Sequence, residues 1–489
     1  MKKSTLNILV AASEAAPLAK AGGLGDVVGS LPLAFRDQGC RVVVVLPAYR
    51  QALEQIHDWE FAAQDIPVHL GRLHLSADVL VGDLAPGVKA YLVRRDEFFD
   101  RSELYGSSQG EYFDNQERFI FFSRSIPALC SAIGFQPDVI LGNDWQTGLI
   151  MALLAEGALP RTAGVFAIHN MGYLGLVPPN RTENIGLPKK YYGIEGLEYH
   201  GQMSLLKAGI VYAQAVITVS PNYAREIQTP EFGAGLDGLM RSVNERLYGI
   251  LNGVDYHVWN PATDKHLTAN YSPRDLSGKT LCKQDLLKVM GLPGELIDRP
   301  LLGMVNRLVA QKGCNLLAEA AEKFFALDLG LVLLGTGDES YQNLFSRLQA
   351  RHPNRFGLKL GFDQMLAHKI LAGCDMLLIP SLYEPCGLTQ MFSLKYGTIP
   401  IVRATGGLQD TVIDPNEGHR PGTGFKFDRF RAVDLVRAVR RAVEIFQDPA
   451  SWQAMMLEAM AQDFSMHRSA KEYLAVFERA IAARRAKKR

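Results

Sequence analysis

Cations, carboxylates and glycines stand at the ends of successive apolar runs in this 489-residue chain. Glu384 lies in SLYEPCGLTQMFSLKYG (381–397), directly after the run DMLLIP. Arg307 and Lys312 lie in NRLVAQKG (306–313), after LLGMV. Two such cations at a strand end suit a diphosphate, arginine as a fork and lysine as a point charge. An ordinary surface pair has the same residues. Lys20 and Asp26 flank the glycines of KAGGLGDVVGS (20–30), where Gly22 and Gly23 let backbone N–H groups approach an anion. A tight turn beside a solvated lysine fits equally. Glycines recur in LLGTGD (333–338), which includes Gly335, and in ATGGLQDTV (404–412). In the latter, Thr405, Gly406, Gly407 and Leu408 could offer N–H donors to a phosphate. His169 in FAIHNMGYLG and Asp144 in GNDWQTGL each end a further apolar run. The tyrosine- and amide-rich stretch LYGSSQGEYFDNQERF (104–119) suits either a carbohydrate surface or a packed loop.

Other chemistries are disfavoured. A nicotinamide-binding loop wants GxGxxG, but Val28 stands where the third glycine belongs, and the second strand ends in Leu46-Pro47 without an acid for a ribose. There is no P-loop, no HExxH and no DxD pair. No metal is therefore expected, and a diphosphate would be neutralised by Arg307, Lys312 and helix ends. Net charge is +1, which points to neither a nucleic acid nor a membrane surface as partner. None of the six cysteines has CxxC spacing, which fits a reducing cytosol better than a disulfide framework. The opening MKKSTLNILVAASEAAP is interrupted by Glu14 and reads as a first strand, not a leader or a membrane span.

Positioning these residues requires alternating strands and helices. LNILVAAS (6–13) and CRVVVVLP (40–47) read as strands around a helix over 25–39. KAYLVR, DVILGN, GVFAIH and AVITVS continue the pattern. Continuous apolar runs of this kind suit strands buried on both faces of a parallel sheet. After ILNGVDYHVWNPATD (250–264) the rhythm restarts with LLGMVNRL, LGLVLLGTG, GLKLGF, DMLLIP and TIPIVRA. Two α/β domains with a hinge near 250–265 follow, and beyond residue 430 the chain reads as helical to its basic tail ARRAKKR. Open α/β sheets bind ligands at the carboxyl ends of their strands, so the expected site is the cleft between the domains.

Taken together, these stretches resemble the bacterial glycogen synthases and plant starch synthases. The resemblance also runs through YYGIEGLEYHGQMSLLKAGIVYA, ITVSPNYAREI, ILNGVD, LKYGTIPIVRATGGLQDTV and GTGFKF, in matching order over nearly the whole chain. It implies a GT-B fold, two Rossmann-like domains facing across a deep cleft: 1–250 on the acceptor side, 251–464 on the nucleotide-sugar side, and 465–489 as a helix returning to the first domain. It implies transfer of glucose from ADP-glucose to the non-reducing end of an α-1,4-glucan, with retention of configuration, no cofactor, and no nucleic-acid or membrane partner. Lys20, Gly22, Gly23 and Asp26 then lie beside the donor's diphosphate and sugar. Arg307 and Lys312 stabilise the leaving ADP, and Gly335 and the backbone around Thr405, Gly406 and Gly407 belong to the donor site. His169 contacts the transferred glucose, with Asn170, Asp144 and Asn252 at further donor or acceptor positions. Phe362 lies against adenine. Glu384 is either a covalent nucleophile or, as favoured here, the group that binds glucose hydroxyls and stabilises an oxocarbenium-like transition state. Cys386, Gly387, Leu388 and Thr389 complete its loop.

Three departures stand out. Related retaining transferases often carry a second glutamate eight residues after the first; here that position is Phe392. Gln146 replaces a common histidine, and Leu141-Gly142 replace a histidine-containing pair. The missing second glutamate disfavours the alternative reading, a related GT-B transferase using UDP-glucose or another acceptor.

Overall fold

A computed structural model describes residues 5–55, 58–107, 110–418 and 421–486. The chain divides into two compact units, Met1–Gly253 with Met466–Arg489, and Val254–Ser465.

In the first unit the β-branched runs become strands because each can bury both faces. Asn7–Ala11, Arg41–Pro47, Val139–Asn143, Ala163–Ile168 and Ala215–Thr218 are almost wholly buried. They pair in parallel, and the sheet runs Leu247–Gly249, Ala215–Thr218, Ala163–Ile168, Val139–Asn143, Asn7–Ala11, Arg41–Pro47, Val88–Arg94, Leu73–Ala85, Glu60–Leu70. The last two strands form a long antiparallel hairpin, and Leu73–Ala85 is also antiparallel to Val88–Arg94. This sheet is therefore mixed, not wholly parallel. The hairpin went unforeseen because its polar outer strand, EFAAQDIPVHL, lacks a continuous apolar run.

The helix Gly23–Asp37 buries Leu24, Val27, Val28, Leu31 and Phe35, the three-and-four spacing of one helix face. Phe35 meets Tyr473 and Phe477 of the final helix, Met466–Ala486, at ring separations of 6.1 and 5.4 Å. Lys487, Lys488 and Arg489 of the basic tail lie outside the described residues.

The second unit holds a six-stranded parallel sheet in the order Phe356–Leu360, Gly330–Gly335, Leu301–Val305, Met376–Ile379, Ile399–Arg403, Phe425–Phe427. The helices Ala432–Phe446 and Pro449–Ala461 close this unit. In both units the chemistry-bearing loops follow the carboxyl ends of parallel strands, where an open α/β sheet leaves backbone groups and side chains available to a ligand.

Candidate functional site

In the second unit three loops converge. Strand Leu301–Val305 leads into Asn306–Gly313, strand Met376–Ile379 into the Glu384 loop, and strand Ile399–Arg403 into the short helix Gly406–Thr411. The first two are tied by Leu382 N–H donating to Gln311 O at 2.8 Å and the Gln311 amide donating to Tyr383 O at 3.1 Å. Arg403 donates to Leu382 O. Gln390, fully buried, donates to Cys386 O at 3.0 Å, Gly387 O at 2.9 Å and Thr411 Oγ1 at 3.2 Å.

Glu384 is buried within this junction. Its Oε2 accepts from Lys312 Nζ at 2.6 Å and from Ser381 Oγ at 3.0 Å. Its Oε1 takes no hydrogen bond from the described residues. A charge-assisted bond of this length, largely withdrawn from water, holds both side chains in one geometry. Arg307 is exposed and forms no ion pair among the described residues.

The glycines of ATGGLQD act differently from the expected phosphate cradle. Gly407 N–H is already donated to Pro385 O at 3.1 Å and Glu384 O at 3.3 Å, and Leu408 N–H to Thr405 O at 3.0 Å. A Cβ at Gly406, where φ is +44°, would lie 1.9 Å from Glu384 O, and one at Gly407 2.1 Å from Cys386 O. These glycines let the helix start press against the Glu384 loop. Gly335 likewise allows close backbone contact, since its Cβ would lie 2.1 Å from Asn306 O. Thr405 is buried as the residue before the helix. Gly387, at φ +69°, turns the chain before Leu388 and Thr389 open the helix Thr389–Lys395. Phe362 is 87% exposed, on the loop after strand Phe356–Leu360.

The first unit carries a second constellation. Glu14 is buried, and its Oε2 accepts the Ala21 and Gly22 N–H groups, both at 2.8 Å, while Oε1 accepts from Tyr105 Oη at 2.7 Å. It thereby fixes the glycine loop, and Gly22 N–H is spoken for. A Cβ at Gly22 would nonetheless meet nothing within 4 Å, so the loop's outer side is open to close approach. Lys20 forms a 2.6 Å ion pair with Asp26 in the first turn of Gly23–Asp37.

One strand over, Asp144 sits at φ 55°, ψ −178°, a conformation all but reserved for glycine. Such a backbone costs about 1–3 kcal/mol and persists where its surroundings over-determine it. Here the Asp144 carboxylate accepts the N–H groups of His169 at 2.7 Å and Asn170 at 3.3 Å. Burial pushes its pKa up to about 7, partly opposed by those two N–H bonds, with Glu14's charge adding to the rise. His169 is buried, and burial depresses its ring to about 4, so it is neutral near pH 7. Its Nε2 lies 2.9 Å from Asn143 Oδ1. Asn170 accepts from Gly172 N–H at 2.9 Å. Asn252 is buried, and its Oδ1 lacks a partner among the described residues.

The structure thus groups Lys312 with the Glu384 loop, Gly406 and Gly407, and groups Asp144 with His169 and Asn170. Lys20 pairs with Asp26, while Phe362 and Asn252 stand apart from these bonds. Sequence reasoning passed over Glu14, Asn143, Ser381 and Gln390. The available signal for Glu14 was a lone carboxylate immediately after the buried run ILVAAS.

A family profile described as "Starch synthase catalytic domain" matches residues 7–242, and one described as "Glycosyl transferases group 1" matches 294–454. The chain is 49% identical to a glycogen synthase of Desulfatibacillum aliphaticivorans over 482 residues, covering 98% of this chain and 100% of that one. The chain belongs to the glycogen and starch synthase family. A glycogen synthase of Syntrophotalea carbinolica is 43% identical, over 97% of this chain and 99% of its own length. The catalytic domain of starch synthase IV from Arabidopsis thaliana, solved with ADP and acarbose, superposes with a TM-score of 0.90 at 32% identity, covering 98% of this chain and 100% of that one. Sucrose-phosphate synthase from Thermosynechococcus elongatus, at 18% identity and a TM-score of 0.61 over 98% of this chain and 100% of its own, shares the GT-B fold.

As a member of the glycogen and starch synthase family, the protein is a glycosyltransferase. Phe392, at the position of the second glutamate in other retaining transferases, stacks on Trp259 at 4.1 Å and 9°, and Trp259 stacks on His368 at 4.0 Å and 6°. That position serves packing in this synthase. Gln146, the other departure, is buried with Oε1 unpartnered among the described residues. No group of three or more His, Cys, Asp or Glu residues suited to a metal occurs among the described residues, and no described helix is long and apolar enough to cross a membrane.

Proposed function

We propose that this synthase transfers glucose from ADP-glucose to the non-reducing end of an α-1,4-glucan such as glycogen, with retention at the anomeric carbon. The observation that carries the reading is the Lys312–Glu384 pair, held at 2.6 Å between the Arg307 loop and the Glu384 loop, which Gln311 also ties together. It joins a fixed carboxylate to a fixed cation, as a reaction needs when a diphosphate leaves and positive charge grows on a sugar.

Arg307 and Lys312 bind the diphosphate and stabilise the charge released on it. As the bond from the anomeric carbon to the phosphate oxygen breaks, positive charge spreads over that carbon and the ring oxygen. Glu384, restrained at Oε2, offers Oε1 to glucose hydroxyls and its negative charge to the oxocarbenium-like transition state. Such preorganised charge stabilises a transition state without reorganisation at the moment of reaction. The acceptor's hydroxyl oxygen bonds to the anomeric carbon on the face that ADP leaves, and its proton passes to the departing phosphate oxygen. Bond broken and bond formed thus share one face, which retains configuration. No metal takes part, the two cations supplying the neutralising charge.

Lys20 exchanges its Asp26 partner for the donor. His169, Asn170, Asp144 and Asn252 receive sugar hydroxyls. An unpartnered buried acceptor such as Asn252 Oδ1 costs about 1–3 kcal/mol, which a hydroxyl donor would offset. Phe362, exposed, stacks on adenine. Six cysteines free of disulfides support a cytosolic site of action.

Proton NMR of the product on a short maltooligosaccharide tests the stereochemistry. New α-1,4 linkages are expected from the α-configured donor; a β linkage would overturn the retaining mechanism.

A further inference from the structure

Histidine has two distinct ring nitrogens, and the one carrying the proton decides what the ring can recognise. His169 Nε2 lies 2.9 Å from the side-chain oxygen of Asn143, the last residue of strand Val139–Asn143. An amide can be turned end for end, so its orientation must come from its other neighbours. Here they decide it. The opposite end of the Asn143 amide lies 3.0 Å from Ala11 O and 3.4 Å from Leu141 O. Both are carbonyl oxygens, which accept and never donate. The NH2 group must face them, and the amide oxygen must face the imidazole. An amide oxygen cannot donate, so the proton between the two side chains sits on the histidine.

We infer that Asn143 is a positioning residue that locks His169 in its Nε2–H tautomer, leaving Nδ1 as a bare acceptor that reads a hydroxyl of the transferred sugar. The sugar half of this inference rests on the function proposed above; the tautomer half rests on geometry alone.

Four observations support the lock. Asn143 is 2% exposed, so bulk water does not compete for its amide oxygen. Parallel pairing of Asn7–Ala11 with Val139–Asn143 fixes the Ala11 carbonyl beside it. Nδ1 takes no hydrogen bond from the described residues. Asp144, in its strained conformation, clamps the His169 and Asn170 N–H groups, so the backbone carrying the ring is held as firmly as the ring. Consecutive residues of one strand end therefore control the same histidine, Asn143 through the ring and Asp144 through the main chain. Burial keeps the ring neutral at physiological pH, so the acceptor persists there. A bare nitrogen in such a site accepts an O–H and rejects a group that can only accept, which makes the ring a test for a free hydroxyl.

Nitrogen-15 NMR of the full chain labelled at histidine tests the lock directly, with His169 assigned by the signals lost in His169→Gln. The parent is expected to show a protonated Nε2 and an unprotonated Nδ1. A protonated Nδ1 would overturn the inference, and this measurement needs no destabilising variant. Asn143→Leu, close in size but without an acceptor, should release the tautomer. It should lower kcat with ADP-glucose by at least about tenfold, the worth of one hydrogen bond, with KM for glucan little changed. An Asn143→Leu protein with an altered tautomer but parental kcat would overturn the positioning role. A parent with the expected tautomer that transfers no glucose would overturn the sugar half while the lock stands.

Discussion

Two carboxylates in this protein sit in opposite settings. Glu384 is bonded by an ammonium and a hydroxyl, while Asp144 is bonded only by backbone N–H groups and is pushed towards its neutral form. Glu384 suits a role as fixed negative charge, and Glu384→Ala should retain ADP binding, read by calorimetry, while losing at least about a hundredfold in turnover, the scale of one preorganised electrostatic contact. Parental turnover would remove Glu384 from the mechanism. Asp144 and His169 make a prediction in pH. The folded His169 pKa of about 4 lies below the ordinary 6.5, so between those values the unfolded chain holds more protons at this residue, and stability rises with pH. The folded Asp144 pKa of about 7 lies above 3.8, so between those values the folded chain holds more protons, and stability falls as pH rises. The two effects oppose each other between pH about 4 and about 6.5. Asp144→Asn removes one of them. Denaturant melts across that window should show the variant's stability climbing more steeply with pH than the parent's, by up to about 1.4 kcal/mol per pH unit. Parallel curves would mean that Asp144 titrates normally.

At the scale of elements, the loops matter through how they brace one another. Gly407 illustrates this, because a methyl group there would meet Cys386 O at 2.1 Å. Gly407→Ala should destabilise the second unit by about 1–3 kcal/mol, the usual cost of forcing atoms into a packed site. It should also lower turnover by shifting the Glu384 loop; an unchanged melting temperature would show that the loop yields freely. The same example marks where sequence reading stops. The strands, their order along the chain and most of the strand-end residues were legible, because buried parallel strands write themselves as apolar runs such as RVVVV and MLLI. The use of the glycines was not legible, because TGG looks alike whether its N–H groups face a phosphate or a neighbouring loop. Glu14 and Asn143 were missed for a related reason. Each bonds to a residue far along the chain, Asn143 to His169 at 26 positions' separation and Glu14 to Tyr105 at 91, and a single sequence does not display such pairs. The hairpin Glu60–Ala85 escaped because its outer strand lacks an apolar rhythm.

At the scale of the whole molecule, the chain leaves the first unit at Gly253 and re-enters it at Met466, so the final helix belongs to a unit begun more than two hundred residues earlier. Its Tyr473 and Phe477 are buried against Phe35. Burying side chains of this size contributes about 1.5–3 kcal/mol each, a large share of the 5–15 kcal/mol that typically stabilises a folded protein. A chain ending at Ser465 should therefore lose hydrogen-exchange protection in the sheet of the first unit; full protection there would show the helix to be dispensable. The reaction itself is tested most directly by incorporation of radiolabelled glucose into glycogen from ADP-glucose and UDP-glucose in parallel, with EDTA present. The expected result is incorporation from ADP-glucose, undiminished by EDTA and far above that from UDP-glucose. Incorporation mainly from UDP-glucose, dependence on a divalent metal, or none from either donor would contradict the account.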